Sequence, residues 1–391
     1  MISVLFVDDE QSLLDGQRRA LRNMRDQWDM HFANSGAAAL AMFEEIQFDV
    51  IISDMRMPRM DGIELLKRVR QMSPRTIRIV LSGQTDLQEA LQSASLAQVF
   101  LHKPCERAVL EGAVRRSVAL AEELNSPKLQ RIVGSLDSLP SAPRVVAKLN
   151  EYLTTADVKL DEVVSIMDSD PGILAKLLQL ANSLIFGSDQ NITNAHDAVK
   201  LLGVGNIKYL AVASALFSEE HFNAAQTKRF SEIEERAVLS VRVAKALHGN
   251  APVDPAILSA VILHGVGELV IAVALPDEDS VFADRVRAGE LRVDIEKEVL
   301  GVTNATVGAY LLNLWDVPME IVEATAWQHT SPPSEPWERS ALHVVYVTEA
   351  VVSKGRGLYR DVPYGYLDAL DFAESVETAL QVVGQSEAVN N

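Results

Sequence analysis

The segment "IISDMRMPRMDGIELL" (residues 51–66) decides the fold of the first third of the chain. It begins with an apolar run, reaches Asp54, crosses a loop that contains Pro58, and becomes amphipathic from Gly62 onward. Such an apolar run predicts a buried parallel strand, and the apolar spacing after the loop predicts a helix. Strand, loop and helix in this order form the repeating unit of a doubly wound α/β sheet.

Similar units lie on both sides of this segment. Short apolar runs predict strands at 3–7, 48–53, 77–82 and 98–102, and helical spacing separates them. This alternation predicts an α/β doubly wound domain with right-handed crossovers. In such sheets, ligands bind beyond the carboxyl ends of the strands.

Polar residues follow the predicted strands at those ends. They are Asp8, Asp9 and Glu10 after the run 3–7, Asp54 after the run 48–53, Ser82 at the end of the run 77–82 and Lys103 after the run 98–102. Clustered carboxylates repel one another unless a hard cation joins them, and oxygen ligands suit Mg²⁺. A lysine and a hydroxyl can hold phosphoryl oxygens, while one carboxylate acts as the nucleophile that carries the phosphoryl group. The pattern therefore predicts a phosphoacceptor site.

Residues 1–121 resemble the receiver domain of two-component response regulators, which has a flavodoxin-like fold. The matching stretches are "VDDE", "IISDMRMPRMDGIELL", "VLSGQTD" and "VFLHKP". The resemblance implies that a sensor histidine kinase phosphorylates Asp54. An alternative is a pseudo-receiver that binds a partner without phosphate. Such domains usually lack an acid or the lysine, and this chain has both.

The same resemblance implies a role for each matching residue. Mg²⁺ would be bound by Asp9, Asp54 and the backbone carbonyl of Arg56, with Asp8 acting mostly through water. The remaining roles are phosphoryl binding by Ser82 and Lys103, an aromatic switch at Phe100, and loop shaping by Pro58 and Gly62.

Residues 122–136 are predicted to link two domains. A charged amphipathic helix over 105–124 precedes them, Pro127 cannot continue it, and a second amphipathic piece follows at 129–136. Two interpretations stay open. The segment is either a tether, or a helix that transmits the state of the receiver or pairs two chains.

Residues 137–391 are predicted to form an all-α, HD-like helical bundle, because Leu, Ala and Val recur there at spacings of three and four. One helix is well signalled by Asp170 as N-cap and Pro171 at its first position. Further helices are predicted at about 231–248, 254–274, 294–313 and 317–329.

This part resembles the HDOD domain, a relative of the HD-type metal-dependent phosphohydrolases. Matching stretches include "LPSAPRVVAKL", "AVILHGVGELV" and "VGAYLLNLWDVPMEIVEATAWQH". An HD enzyme needs several His and Asp ligands. Of the aligned positions, two keep a histidine, His264 and His329. Four do not keep the expected ligand: Leu239, Gly265 in place of aspartate, Asn304 and Gln328. We expect two imidazoles without a carboxylate, a degenerate site, and no metal.

These features favour a response regulator with a non-catalytic HDOD output that acts through protein–protein interaction. The output partner is a downstream signalling protein or a second copy of the chain. The main alternative is a metal-dependent phosphohydrolase, acting on a nucleotide or cyclic dinucleotide, that uses His264 and His329. A transcription factor is the third candidate, although no basic recognition helix is evident.

Charge and composition constrain the partners and the compartment. The net charge is −18, and residues 125–391 contribute −15 of it, which disfavours nucleic acid as a partner. A helix–hairpin–helix at Gly203–Gly205 is therefore a weak alternative to a plain turn. The single cysteine, Cys105, suits a reducing cytoplasm, and the apolar stretch at 256–275 is expected to be a core helix rather than a membrane span.

Overall fold

The computed structural model describes most of the chain. The described residues are 1–82, 99–103, 105, 107–123, 126–136, 139–140, 143–153, 158–182, 191–203, 207, 222–315, 317–330, 339–355, 362 and 364–390. Their contacts form two compact units. The first is Met1–Asp137 with Gln179–Asn191 and Asn313–Asp316, and the second is the remainder. No observation tests the domain bounds predicted at 121 and 136, which stay a prediction.

The first unit is built on a parallel sheet, as predicted. Its strands are β1 (Ile2–Val7), β2 (Trp28–Ala33), β3 (Val50–Asp54), β4 (Ile77–Ser82) and β5 (Val99–His102), in the spatial order β2-β1-β3-β4-β5. The helices are α1 (Gln11–Ala20), α2 (Gly36–Glu45), α3 (Gly62–Met72) and α4 (Arg107–Glu123), with a 3₁₀ turn at Arg22–Met24. This order is that of the flavodoxin-like doubly wound sheet.

Strand register explains why the acidic residues meet. Val7 pairs with Ser53, so the next residues, Asp8 and Asp54, leave neighbouring strands at the same edge. The strand residues before them are buried, because both faces of a parallel sheet are covered. The core of the sheet thereby fixes the position of the acidic edge.

A helix in the predicted linker belongs to the first unit and contacts β4. This helix, α5 (Pro127–Ser135), begins at Ser126, whose side chain accepts a hydrogen bond from the Leu129 N–H. Buried Arg78 of β4 donates through Nη2 to the carbonyl of Gly134 at 2.8 Å. A Cβ at Gly134 would lie 2.2 Å from the carbonyl oxygen of Pro74, so glycine permits this close approach.

Every regular element that is described in the second unit is a helix. Its helices are α6 (Pro143–Leu153), α7 (Leu160–Met167), α8 (Pro171–Asn182), α9 (Ala195–Leu202), α10 (Ala224–His248), α11 (Pro255–Leu263), α12 (Val266–Ala274), α13 (Pro276–Arg287), α14 (Arg292–Leu300), α15 (Asn304–Leu314), α16 (Met319–Ala326), α17 (Ala341–Gly355), α18 (Tyr364–Ala369) and α19 (Val376–Asn390). The last residues of α8 and α15 group with the first unit. The predicted all-α class is confirmed.

Two helices that the sequence predicts as continuous are each divided into two helices in the structure. The helix predicted at 254–274 is broken after α11, where the His264 Nδ1 lies 2.6 Å from the carbonyl oxygen of Val261. In a continuous helix that carbonyl would accept from the N–H of Gly265. The helix predicted at 294–313 is broken at Gly301, whose left-handed φ of 77° ends α14.

The stretch Pro255–Ala274 is long and apolar enough to cross a membrane by composition alone, but 78% of its apolar window is buried inside the protein. That burial is the pattern of a core segment. The turn at Gly203–Gly205 lies mostly outside the described residues, and only Gly203 is seen, with a φ of 77°.

Candidate functional site

The carboxyl edge of the sheet gathers the predicted acidic residues. Asp8, Asp9 and Asp54 each offer a carboxylate oxygen, and these oxygens all lie within 4.8 Å of one another. Asp8 is buried, Asp54 is partly buried and Asp9 is exposed, so the cluster opens to solvent on one side. Within the described part of the chain, this is the one group of three potential metal ligands at such distances.

Lys103 joins two of these carboxylates. Its Nζ lies 2.7 Å from Asp8 Oδ2 and 2.7 Å from Asp54 Oδ1. Asp8 Oδ1 also accepts the backbone N–H of Glu10 at 2.9 Å, which fixes that carboxylate. The sequence placed these residues at strand ends, and the fold brings them together.

Burial and charge act against each other at this edge. Burial raises the pKa of Asp54, and the hydrogen bond and charge of Lys103 offset this only in part. Burial would lower the pKa of Lys103, but its hydrogen bonds to Asp54 and Asp8 raise that pKa above its ordinary value. An added cation would stabilise the charged form of Asp54.

The loop after Asp54 is held close to β3 by Gly62. The N–H of Gly62 donates to the carbonyl of Met55 at 2.8 Å, and a Cβ at Gly62 would lie 2.3 Å from the carbonyl oxygen of Asp54. Any other residue would push the start of α3 away from the site. Pro58 lies in the same loop, and its carbonyl accepts the N–H of Met60 at 2.9 Å.

The remaining receiver residues are placed less completely. Ser82 ends β4 and pairs with His102, and Phe100 pairs with Val80. The side chains of Ser82 and Phe100 lie outside the described residues. Arg56 follows Met55 in the loop after β3.

The second unit contains a cavity of about 660 Å³ at the place of the degenerate HD site. Its lining includes Asn304, Gln328 and His329 from the predicted set, together with the unpredicted Arg236, Glu268 and Glu349. His264 and Gly265 line a small pocket beside it, which Arg236 and Glu268 also border.

Arg236 of α10 connects two buried carboxylates. Its Nη1 donates to Glu268 of α12, and its Nη2 lies 2.6 Å from both carboxylate oxygens of Glu349 in α17. The His264 Nε2 lies 3.3 Å from Glu349 Oε2. Because Nδ1 of His264 faces a carbonyl, Nε2 donates to Glu349 when the ring carries both protons. Gly265 thus leaves the aligned aspartate position without a carboxylate, but Glu349 of another helix lies beside His264.

Two further arginines extend this network. Arg229 donates to Glu268 at 2.6 Å and to Asp279 at 3.0 Å. Arg292 donates to Asp279 at 2.8 Å and to Glu296 at 2.6 Å. Burial alone would raise the pKa of Glu268, but the charges of the three arginines hold it well below its ordinary value.

Burial and neighbouring cations also oppose each other at Glu349 and Glu296, but the outcomes differ. Burial would raise the pKa of Glu349, whereas Arg236 and His264 lower it below its ordinary value. For Glu296, burial prevails over Arg292, and the pKa of that carboxyl is raised. The ionised forms of Glu268 and Glu349, the two buried carboxylates that line the cavity, are thus favoured by neighbouring cations.

The other predicted HD positions make hydrogen bonds or pack in the core. Asn304 donates from Nδ2 to Glu296 at 3.0 Å, and that Nδ2 lies 3.4 Å from the His329 Nε2. Gln328 donates to the carbonyls of His264 and Thr325. Leu239 is buried in the core, and Arg236, one turn earlier in α10, faces the cavity instead.

Sequence reasoning missed Arg236, Glu268 and Glu349. A signal was present for Glu268, because an acidic residue inside the apolar run "VGELVIAVA" must find a partner when it is buried. Arg229 and Arg236 lie seven residues apart, which places them on the same face of α10. No local sequence pattern connects Glu349 to Arg236, because these two residues lie 113 positions apart in the chain.

Two family profiles match the chain. The response regulator receiver domain matches residues 4–115, and the HDOD domain matches residues 139–331. The curated relatives include the transcriptional regulatory protein TrcR of Mycobacterium tuberculosis, 30% identical over 38% of this chain and 57% of TrcR. An uncharacterized protein of Treponema pallidum is 22% identical over 51% of this chain and 39% of its own length. The alignments thus span less than two thirds of either relative.

Among solved structures, a virulence factor of Campylobacter jejuni matches with a TM-score of 0.50 and 21% identity. The match covers 66% of this chain and 96% of that protein. At this level of identity the likeness concerns the fold alone.

Proposed function

Because the chain joins a response regulator receiver domain to an HDOD domain, we propose that a sensor histidine kinase phosphorylates it on Asp54. The observation that carries this proposal is the position of Asp54 beside two further carboxylates and 2.7 Å from the Lys103 ammonium. A carboxylate oxygen of Asp54 attacks the phosphorus of phosphohistidine. An O–P bond forms as the P–N bond breaks, and the imidazole of the kinase leaves with the electron pair.

The oxygen donors at this edge fit Mg²⁺. Asp8, Asp9 and Asp54 would hold it, and the bound ion supplies positive charge to the phosphoryl oxygens. Lys103 already reaches both Asp8 and Asp54, so its Nζ is positioned to donate to a phosphoryl oxygen on Asp54. Phosphorylation then shifts the chain between two states by its differential stabilisation of one of them.

Phosphorylation with a small phosphodonor and Mg²⁺ tests the assignment of Asp54. We expect acyl-phosphate labelling of the wild-type chain and none of Asp54→Asn. The matched control is Asp29→Asn, which changes an exposed aspartate of the same unit and should leave labelling intact. Label that persists in Asp54→Asn would show that the acceptor is another residue.

For the HDOD unit, we propose a non-catalytic output that binds a downstream signalling protein in the cytoplasm. Support comes from Arg236, whose guanidinium bridges Glu268 and Glu349 and supplies the charge that a metal would supply. The alternative phosphohydrolase would use His264 and His329 with these carboxylates. Metal analysis of the purified chain distinguishes the non-catalytic output from the phosphohydrolase. One tightly held transition metal per chain, lost in His264→Ala, would favour the enzyme.

A pull-down tests the output itself. The chain treated with phosphodonor and the Asp54→Asn variant are compared side by side as baits in the same lysate. A signalling protein captured by one bait and not by the other supports regulated binding. Identical capture by both would contradict a phosphorylation-controlled output.

A further inference from the structure

The linker helix α5 lies outside both matched profiles, because the receiver profile ends at residue 115 and the HDOD profile begins at residue 139. It is nevertheless docked in the first unit. Leu129 and Val133, four residues apart on one face, are buried, whereas Arg131 is exposed. A helix of nine residues is marginal in water by itself, so α5 depends on this docking to stay folded.

Buried Arg78 fixes α5 to the amino-terminal end of β4. Its Nη2 donates to the carbonyl of Gly134 at 2.8 Å. Its Nη1 donates to the carbonyls of Thr76 and Pro74 at 3.1 and 3.3 Å, so one guanidinium joins α5 to the loop between α3 and β4. That loop is held to the sheet, because the Thr76 hydroxyl donates to the carbonyl of Phe48 at 2.8 Å. The surface on which α5 docks is therefore fixed.

The contact at Gly134 leaves no room for adjustment. A Cβ at Gly134 would lie 2.2 Å from the carbonyl oxygen of Pro74, the same oxygen that Arg78 contacts. The backbone of α5 therefore lies directly against the loop, without a side chain between them. A fit this close loses contacts when either partner is displaced, and a displacement can hardly improve it. Movement of β4 or of its loop should consequently loosen α5.

Strand β4 leads from α5 to the phosphoacceptor edge. It lies between β3 and β5 in the sheet, and its Leu81 pairs with Asp54. The carbonyl of Leu81 accepts the N–H of Met55 at 3.3 Å. Arg78 precedes Leu81 by three residues, about 10 Å along the strand. One strand therefore connects the backbone beside Asp54 with the side chain that holds α5.

We propose that α5 is a latch that phosphorylation of Asp54 loosens. In the unphosphorylated chain, Arg78 and Gly134 keep α5 docked, so the segment that follows α5 starts from a fixed point on the receiver. A phosphoryl group on Asp54 stabilises a state in which the carboxyl end of β4 is displaced, and the close contact at the other end of the strand weakens. This role of α5 rests on the proposed function, because phosphorylation is the trigger. The linker helix is then a transmitting element and not a passive tether.

Hydrogen exchange of the full chain tests the latch, with mass spectrometry of the peptides that cover α5. The chain is measured before and after treatment with acetyl phosphate and Mg²⁺, and acyl phosphate on Asp54 is quantified in the same sample. We expect exchange in α5 to become at least about fivefold faster in the phosphorylated chain, the lower end of typical coupling between two sites. Asp54→Asn, treated identically, should show no change.

The outcomes separate the latch from the proposed function. Acyl phosphate on Asp54 without faster exchange in α5 would overturn the latch and leave the proposed function standing. Absence of acyl phosphate would overturn the proposed function and the latch together. Equally faster exchange in treated Asp54→Asn would count against the latch, because the effect would then not come from Asp54.

A glycine variant tests the docking in the unphosphorylated chain. Gly134→Ala should release α5, because the added Cβ would meet the carbonyl of Pro74, and exchange in α5 should become at least about tenfold faster. Phosphorylation should then cause little further change. The matched control is Gly16→Ala in α1, where a Cβ meets nothing within 4 Å. Exchange in α5 should stay at the wild-type rate in this control.

Val133→Ala provides a second test of the docking, because it removes a buried side chain of α5 and leaves the loop and β4 unchanged. It should accelerate exchange in α5 in the same direction as Gly134→Ala. Unchanged exchange in the peptides of β1 and β3 confirms that the sheet stays folded in each variant. Wild-type exchange in α5 of both Gly134→Ala and Val133→Ala would show that α5 is not held by this contact, and the latch would be wrong.

Discussion

The two units of this chain both gather carboxylates around a cation, but they balance the charge differently. At the edge of the sheet, three aspartates lie close together, Lys103 contacts two of them, and the third, Asp9, is exposed. In the helical unit, Glu268 and Glu349 share the partly buried guanidinium of Arg236, and Glu268 also lies close to Arg229 and Arg292. The first site has an excess of negative charge that a metal can meet. The second supplies its own cations.

This difference shows what a covalently attached cation does to an acidic site. A guanidinium bridging two carboxylates gives them directional hydrogen bonds, and it cannot dissociate. A site balanced in this way has little electrostatic need for a divalent ion. An acidic edge with a surplus of carboxylates responds to ions and to phosphate, and that response is what a switch requires.

The largest effect should come from Arg236→Ala. It leaves Glu268 and Glu349 buried without their shared cation, and breaking a buried ion pair costs about 3–5 kcal/mol. The free energy of unfolding of the helical unit, followed by denaturant titration, measures the loss. The control is Arg285→Ala, whose partners Glu290 and Glu298 lie at the surface, so that stability should hardly change. Equal losses in the two variants would mean that Arg236 does not balance the site.

Gly267→Ala should have the next largest effect. A Cβ there would lie 1.9 Å from the carbonyl oxygen of Asn304, so α12 and α15 could not keep their present distance. We expect a loss of about 1–3 kcal/mol. Gly265→Ala, two residues away, is the matched control, because its Cβ meets nothing within 4 Å and its φ of −83° suits alanine.

The thermal melts of these two glycine variants test whether helix packing positions the second site. A clear decrease in Gly267→Ala with no decrease in Gly265→Ala is the expected result. Equal melting temperatures would show that the close contact between α12 and α15 relaxes without cost.

Lys103→Ala should have a smaller effect that Mg²⁺ reverses. Removing the ammonium leaves Asp8 and Asp54 to repel each other, but the edge is open to solvent, so we expect a loss of about 1 kcal/mol. Adding Mg²⁺ should restore stability, since the ion replaces the lost cation. The same addition should not rescue Arg236→Ala. Rescue of both variants, or of neither, would remove the proposed distinction between the sites.

Most of the first unit could be predicted from its sequence, because its chemistry is local to strand ends. Asp8, Asp54 and Lys103 each follow an apolar run, and the geometry of parallel strands brings such ends together. The edge strand β2 was not identified. Its sequence "WDMHFA" has polar residues among apolar ones, because the strand pairs only with β1.

The second site could be predicted only in part, because its contacts are long-range. His264 and Asn304 were found through a resemblance to HD-type proteins, but the resemblance names the residues that an enzyme would use and not their replacements. Arg236 reaches Glu349 across 113 residues, and only packing reveals that pair. The prediction of one helix over 254–274 missed the interruption at His264 and Gly265, where the His264 side chain lies against the carbonyl of Val261.

The smallest effect should appear in the pH dependence of stability, where the two sites have opposite signs. The pKa of Glu349 is lowered in the folded chain, so its stabilisation is complete above the unfolded value of about 4.5 and is lost as the pH falls below it. The pKa of Asp54 is raised, so the folded chain holds its proton more tightly. Stability therefore rises as the pH falls through that raised pKa toward 3.8. A tenfold difference in proton affinity between the folded and unfolded chains corresponds to about 1.4 kcal/mol.

Two variants that cannot titrate at these positions isolate the contributions. The free energy of unfolding of the wild-type chain is measured against pH beside that of Glu349→Gln and of Asp54→Asn. The difference between the wild type and Glu349→Gln should shrink as the solution becomes acidic. Asp54→Asn should be the more stable chain at neutral pH, and its advantage should also shrink on acidification, because the wild-type carboxyl then becomes neutral. If Asp54→Asn is no more stable than the wild type at neutral pH, the negative charge at the sheet edge is already balanced, and the contrast between the two sites fails.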